Sequence, residues 1–352
     1  MSLHDGWAAL HLEMPPRVPR TEYSAEFHWD LVNAVTGGNA FESSEPEVRE
    51  QASEAFVKAW NYDLVWNTLI AADDFGPWRT RMGQGIYRAD GADWDDRVSS
   101  PFCSPEEVLR FDPLDALPHP KRRELIDRFE ADYKEQQRRF PEALAMTGVY
   151  VTCISGLIDL FGWDLMLTAC GEDPEAFGEM ALRYGKWLEP YVEALSEADV
   201  PVVMLHDDMV WTSGAIFPPC WYREFVFPSI KKLVRPLRDE GKRVLFTADG
   251  NYTEFIADLV ACGLHGFVME PATNLAYAAE EFGRTHVLVG NADTRILLRN
   301  DRDAIRREVE RCMAIGKGCP GYFMAVGNHI PPNTPVEAAL YYNEVYEELS
   351  RR

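Results

Sequence analysis

The chain has 352 residues, 46% of them hydrophobic and 26% charged, and its 35 Lys and Arg against 57 Asp and Glu give a formal net charge of −22. Such an excess of negative charge is repelled by phosphate backbones and anionic lipid, which argues against nucleic acid and membrane surfaces as partners, although a local arginine cluster can still hold an acidic substrate. The seven cysteines, at 103, 153, 170, 220, 262, 312 and 319, are odd in number, scattered and without a CxxC pair, the pattern of reduced thiols rather than a disulfide framework.

The opening MSLHDGWAALHLE lacks the basic-then-apolar order of a secretory signal, and no apolar run approaches the ~20 residues of a membrane span, so a cytoplasmic protein is expected. RVPRTEY at 17–23 and YDLVWN at 62–67 are the first, weaker strand candidates. Between them EPEVREQASEAFVKAWNY reads as a helix, with Val48, Ala52, Phe56 and Trp60 at near-helical spacing. RADGADWDDRVSSPFCSPEE has the turn residues of a long loop or hairpin, and Ser104 before Pro105 has the form of a helix N-cap. DPLDALPHPKRRELIDRFEADYKEQQRRFP then gives a proline-bounded linker and a charged, solvated helix.

From about residue 147 the pattern becomes regular. The apolar runs VYVTCIS, VPVVMLHDD, RVLFTADGN, HGFVMEP, HVLVGNADT and YFMAVGNHIPP each end in polar residues, and helical segments separate them. Continuous apolar strands alternating with helices predict parallel βαβ units buried on both faces. Two early strands and six later ones predict an α/β fold, a (β/α)8 TIM barrel with an N-terminal helical extension and loop insertions, in one domain over 1–352. Residues 1–146 supply the helices, loops and first strands, and 147–352 the remaining barrel units.

A barrel of this kind places its site at the carboxyl ends of the strands. Those ends carry Arg20 and Glu22 (with Arg17 upstream), Trp66 and Asn67, then His206, Asp207 and Asp208. Thr247 and Asp249, Glu270, Asn291 and Asp293, and Asn328 with His329 complete the series. Asp249 before Gly250-Asn251 also suits a helix cap, and Asn291 to Thr294 suits a capping turn. The His206-Asp207-Asp208 triplet points more firmly to a site, because adjacent carboxylates repel unless a positive group joins them.

The block from about 200 to 350 carries a resemblance in HDDMVWTSGAIFPPCWYREFVFPSIKKL, VLFTADGNYTEFIADLVACGLHGFVMEP, VLVGNADTRILL and AVGNHIPPNTP. It resembles the uroporphyrinogen decarboxylase superfamily, which includes methyltransferases that work with corrinoid proteins or cobalamin. The resemblance implies a (β/α)8 barrel with its site at the carboxyl-end mouth. It also implies a zinc in the methyltransferases, held by a His-x-Cys pair and a late cysteine; here those positions fall on Thr247, Asp249 and Asn328 or His329. A two-cysteine zinc site is thus unavailable, and Asp249, His329 and Glu270 (or His206) form the alternative ligand set for a divalent metal such as zinc. The arginine-rich N-terminal motif of the porphyrinogen decarboxylases is reduced here to Arg17 and Arg20.

The first functional expectation is methyl transfer on a small substrate in a corrinoid-linked system, with the corrinoid on a partner protein. Asp207, Asp208 and Asp249 would orient the substrate, His206 or His329 would act as acid or base, and Trp29, Trp66, Trp78 and Trp94 are candidates for a cavity wall. Arg17, Arg20, Glu22, Trp66, Asn67, Thr247, Glu270, Asn291 and Asn328 would bind substrate. The runner-up is a decarboxylase in which Arg17, Arg20, Arg79 and Arg81 hold carboxylates, and the third reading is a barrel retained for binding alone. For assembly, a homodimer is compatible with the sequence.

Overall fold

The computed structural model describes residues 1–82 and 99–352, and the antiparallel backbone pairing of Ile86–Arg88 with Gly91–Asp93. Eight parallel strands form the centre. Residues 18–21 make β1, Leu64–Val65 β2, and Leu144–Ala145 running on into Thr147–Val149 β3. Val202–His206 is β4, Arg243–Ala248 β5, Gly266–Met269 β6, Val287–Gly290 β7 and Tyr322–Phe323 β8. Pairing runs from β2 to β3 (Leu64 opposite Leu144) and continues through β4, β5, β6 and β7 to β8.

The ring closes through β1. Thr21 donates its backbone N–H to the Met324 carbonyl at 3.1 Å, Met324 donates to Pro19 at 2.9 Å, and Asp63 donates to Arg20 at 2.8 Å. The expected α/β barrel is therefore present, with one correction. The third strand is not VYVTCIS at 149–155 but the stretch ending at Val149, and Cys153 already opens a helix, Cys153–Phe161. The apolar character of VYVTCIS reflects burial of a strand end and a helix start together, which periodicity cannot separate over so short a run.

Side chains alternate across each strand, and this alternation determines which residues meet. Leu64, Leu144, Met146, Val202, Met204, Leu245, Val287, Val289, Phe323 and Ala325 fill the barrel interior. Ala9 and Leu10 join that cluster from the N-terminal helix Leu3–Leu10, which plugs the amino-end floor. Their strand neighbours, such as Val203, Leu205, Val244, Phe246 and Phe267, point outward into the layer beneath the helices. At ~25 cal/mol per Å² of apolar surface removed from water, these two layers are the principal stabilising term.

The outer helices follow from local chemistry. Pro174–Glu197 starts where the Asp173 side chain accepts the Ala176 N–H at 3.0 Å with proline in the first turn, and it packs against Phe227–Asp239. Ser104 caps Pro105–Arg110 by accepting the Glu107 N–H, as the sequence suggested. No single helix among the described residues is long and apolar enough to cross a membrane.

Candidate functional site at the barrel mouth

Above the interior layer, at the carboxyl ends of the strands, lies a cavity of about 290 Å³. Met204, Val268 and Ala325 line it from the interior positions of β4, β6 and the end of β8. Two residues further along the same inward-facing series come the functional candidates. Counting on by twos from Leu64, Met204 and Leu245 reaches Trp66, His206 and Thr247, all of which line the cavity. Tyr23 and Tyr150 line it as well, from the ends of β1 and β3.

His206 sits at the end of β4 with its ring stacked on Tyr150, centroids 3.9 Å apart and planes 8° from parallel. Its Nδ1 lies 3.0 Å from the Tyr150 carbonyl oxygen, which can only accept, and its Nε2 lies 3.2 Å from Asp208 Oδ1. Burial disfavours a charged imidazole, yet the Asp208 carboxylate outweighs it and holds the His206 pKa above its usual value. Both ring nitrogens thus carry hydrogen and both are engaged. The same pairing keeps Asp208 below the ordinary carboxylate range despite its burial.

Asp208 is held from three sides. Besides His206, its Oδ1 accepts the Asp249 N–H at 3.0 Å, and its own N–H donates to Ser155 Oγ at 2.6 Å. Ser155 belongs to the first turn of Cys153–Phe161, and sequence reasoning passed over it because it lay inside the run taken for a strand.

Asp249 follows β5 at the turn that reverses the chain. Gly250 there has φ +83°, and an added Cβ would stand 2.7 Å from the Trp211 carbonyl, so the turn requires glycine. The turn does not use Asp249 as a cap; Asn251 Oδ1 accepts the Thr253 N–H instead. Asp249 is reached by water through the cavity, yet protein surrounds it on the remaining sides. That desolvation, together with Asp208 and Glu270 nearby, pushes its pKa up toward about 8. The shift favours the protonated carboxyl over the carboxylate.

Asn328 links the cluster. Its amide nitrogen donates to Asp249 Oδ2 at 3.2 Å and to Glu270 Oε1 at 2.7 Å, while Glu270 Oε2 accepts the Gly250 N–H at 2.6 Å. The Asn328 carbonyl accepts from His329 Nδ1. An amide therefore bridges the Asp249 and Glu270 carboxyl groups. Among the described residues no three His, Cys, Asp or Glu side chains converge for a metal, so Asp249, Glu270 and His329 are not brought together as the expected ligand set. The cluster does not fit the zinc that the family resemblance implies.

Five other expected site residues lie elsewhere. Arg17 pairs with Asp63 at 2.6 Å and with the Tyr346 hydroxyl, at the opposite end of the barrel from the cavity. Arg20 and Glu22 have the outward parity. They form a fully buried pair at 3.1 Å, with the guanidinium over Trp60 at 4.3 Å and Glu22 accepting from Tyr342 and the Val326 N–H. Asp207, next to Asp208, also faces outward, where its Oδ1 accepts the Ser155 N–H at 2.7 Å. Asn291 is buried, its amide donating to the Glu270 and Thr273 carbonyls and its Oδ1 accepting from Arg311. These residues brace the wall instead of lining the cavity.

Asn67 borders the cavity while donating to Asp132. Of the three described tryptophans considered for its wall, Trp66 alone lines it. Trp29 bonds Glu42, Trp78 packs on Phe102 and Phe111, and Trp94 lies outside the described residues. Arg79 pairs with Asp73 and Arg81 pairs its backbone with Ser99, away from the lining residues. Tyr23 and Tyr150 are the additions that sequence reasoning missed. Inward parity from the interior residues was the signal that could have found them.

A parallel eight-stranded barrel with its polar cluster at the carboxyl-end mouth defines the class. The family model described as uroporphyrinogen decarboxylase (URO-D) matches residues 81–349, and the chain belongs to that family. Among curated proteins, uroporphyrinogen decarboxylase of Thermus thermophilus is 31% identical over 160 residues, 46% of this chain and 45% of that one. The enzyme of the same name from Syntrophotalea carbinolica is 27% identical over 179 residues, 51% and 50% of the two chains. The matches therefore span about half the length of these curated relatives. A solved methyltransferase from Methanosarcina mazei shares the fold over 99% of both chains, with a TM-score of 0.67 and 19% identity.

Proposed function

We propose that this member of the URO-D family is a methyltransferase acting on a small substrate at the barrel mouth, in a system where a corrinoid on a partner protein exchanges the methyl group. The observation that carries this reading is the composition of the cavity. It offers aromatic walls, a fixed His206–Asp208 pair and a carboxyl on Asp249 whose pKa is raised by burial and by its acidic neighbours, and no Lys or Arg among its described lining residues. A substrate with several carboxylates needs cations around it, and the described lining supplies only His206, which Asp208 already matches. The fold shared with a methyltransferase supports the same direction.

The chain's own residues divide the work. His206 has both N–H groups committed, so it acts as a fixed positive charge that holds Asp208 in place. Asp249 is the acid. As the bond from methyl carbon to heteroatom breaks, its electron pair stays on the heteroatom, which takes the Asp249 proton, and the methyl group passes to the acceptor. A corrinoid, when docked, supplies the cobalt nucleophile for that transfer. General acids of this kind contribute about 10²- to 10⁴-fold in rate.

The curated relatives favour a second reading, decarboxylation of a carboxylate-bearing substrate. One experiment separates them. The full chain is incubated with reduced cobalamin and a panel of methyl ethers and methylated amines, and methylcobalamin is followed by its absorbance; CO₂ release from uroporphyrinogen is measured in parallel. Methylcobalamin formation without CO₂ is expected. CO₂ release without methyl transfer would replace this proposal with the decarboxylase.

A further inference from the structure

Resting on the methyl-transfer reading, we infer that the ligand of this cavity is a small methylated ammonium cation, seated against the rings of Tyr23 and Trp66 and facing the carboxyl groups of Asp249 and its neighbours. The geometry has three parts. Tyr23 and Trp66 stand with centroids 6.4 Å apart and planes at 88°, so they form a corner of two aromatic surfaces on one side of the cavity. Asp249 lines the cavity, and Asp208 and Glu270 are joined to its turn through the Asp249 N–H, the Gly250 N–H and the Asn328 bridge. Among the described lining residues the positive charge comes from His206, and that charge is already matched by Asp208.

A quaternary methylammonium suits these surroundings better than other small ligands. Its methyl groups carry the positive charge outward and donate no conventional hydrogen bond, so the aromatic faces and the carboxyl oxygens of Asp249 receive it without the cost of leaving donors unpaired. A carboxylate ligand finds no unmatched cation among the described lining residues. A neutral ligand of the same shape gains the apolar contact but loses attraction to the rings and acids. The volume of about 290 Å³ suits a compound at the small end of ligand pockets. One face of Tyr150 is covered by His206 at 3.9 Å, so the Tyr23–Trp66 corner carries the recognition.

The test compares choline with its uncharged isostere, 3,3-dimethylbutan-1-ol, by titration calorimetry on the full chain, with acetate as the anionic control. Choline is expected to bind at least about ten-fold tighter than the isostere, the discrimination that cation–π contact and nearby carboxylates supply. Acetate is expected not to bind. Trp66→Leu and Tyr23→Leu, each checked for an unchanged melting temperature, are expected to remove most of the preference while weakening the isostere less. Equal affinity for choline and the isostere, or no binding of choline, overturns the inference whether or not the variants fold. Methyl transfer from an uncharged ether without any preference for cations would also overturn it, while leaving the methyltransferase reading intact.

Discussion

Two ion pairs sit at strand ends of this barrel and serve different ends. Arg20 and Glu22 are fully buried in the layer between barrel and helices, where the Trp60 and Tyr346 rings, the Tyr342 hydroxyl and the Val326 N–H surround them. His206 and Asp208 stand one side-chain parity away, at the mouth, beside a water-reachable cavity and two further carboxyl groups. The first pair is saturated by its partners and holds the wall together. The second is crowded by two further acidic groups, with His206 as the one positive group among the described lining residues. Charge at a strand end is therefore not itself a mark of chemistry; the face it occupies determines whether it braces or reacts.

The largest effect should come from breaking the wall pair. Glu22→Ala leaves the Arg20 guanidinium buried without its carboxylate, a change worth about 3–5 kcal/mol of stability. Thermal or urea unfolding should show that loss, with activity falling only as the folded fraction falls. An unchanged melting temperature would mean that Glu22 is not the structural half of the comparison.

At the mouth the reverse pattern is expected. Asp249→Asn should lower methyl transfer by about 10²- to 10⁴-fold while the protein stays folded, because the lost group is a proton donor and not a brace. Turnover and circular dichroism on the same sample check it. Collapse of the fold instead would return Asp249 to a structural role.

Asp207 sharpens the comparison with a smaller effect. It is fully buried on the outward face, and burial pushes its carboxyl up to about 7 even though the Ser155 N–H opposes the shift. Its folded pKa thus exceeds the unfolded value near ~3.9. Stability from this group is fully present below about pH 4 and is lost as pH rises through about 7, at up to about 1.4 kcal/mol per pH unit. Asp207→Asn, which keeps an acceptor for Ser155, should flatten that part of the wild-type stability curve with little change in turnover. Chemical denaturation at a series of pH values reads the slope.

Much of this was legible in the sequence. The count of apolar runs gives eight strands, and polar residues at the ends of β4, β5, β6 and β8 mark the mouth. His206, Asp208, Asp249, Asn328 and Trp66 followed from that register. What failed was parity. Arg20, Glu22 and Asp207 were placed with the site because they end strands, although a one-residue step turns a side chain to the other face. Tyr23 and Tyr150 were missed for the complementary reason. In β1 and β3 the short or merged apolar runs gave no clear alternation from which to count. The Asn328 bridge was out of reach, since it joins residues 58 and 79 positions apart through one amide.

The most direct test is the titration of the Asp249 carboxyl itself, by carbon NMR on protein carrying ¹³C-labelled aspartate, with Asp249→Asn used to assign the signal. Crowding by desolvation, Asp208 and Glu270 predicts an apparent pKa toward about 8, which falls when Asp208→Asn removes the nearest negative charge. An ordinary carboxylate value near ~4, unmoved by Asp208→Asn, would contradict the account of a proton held at the barrel mouth.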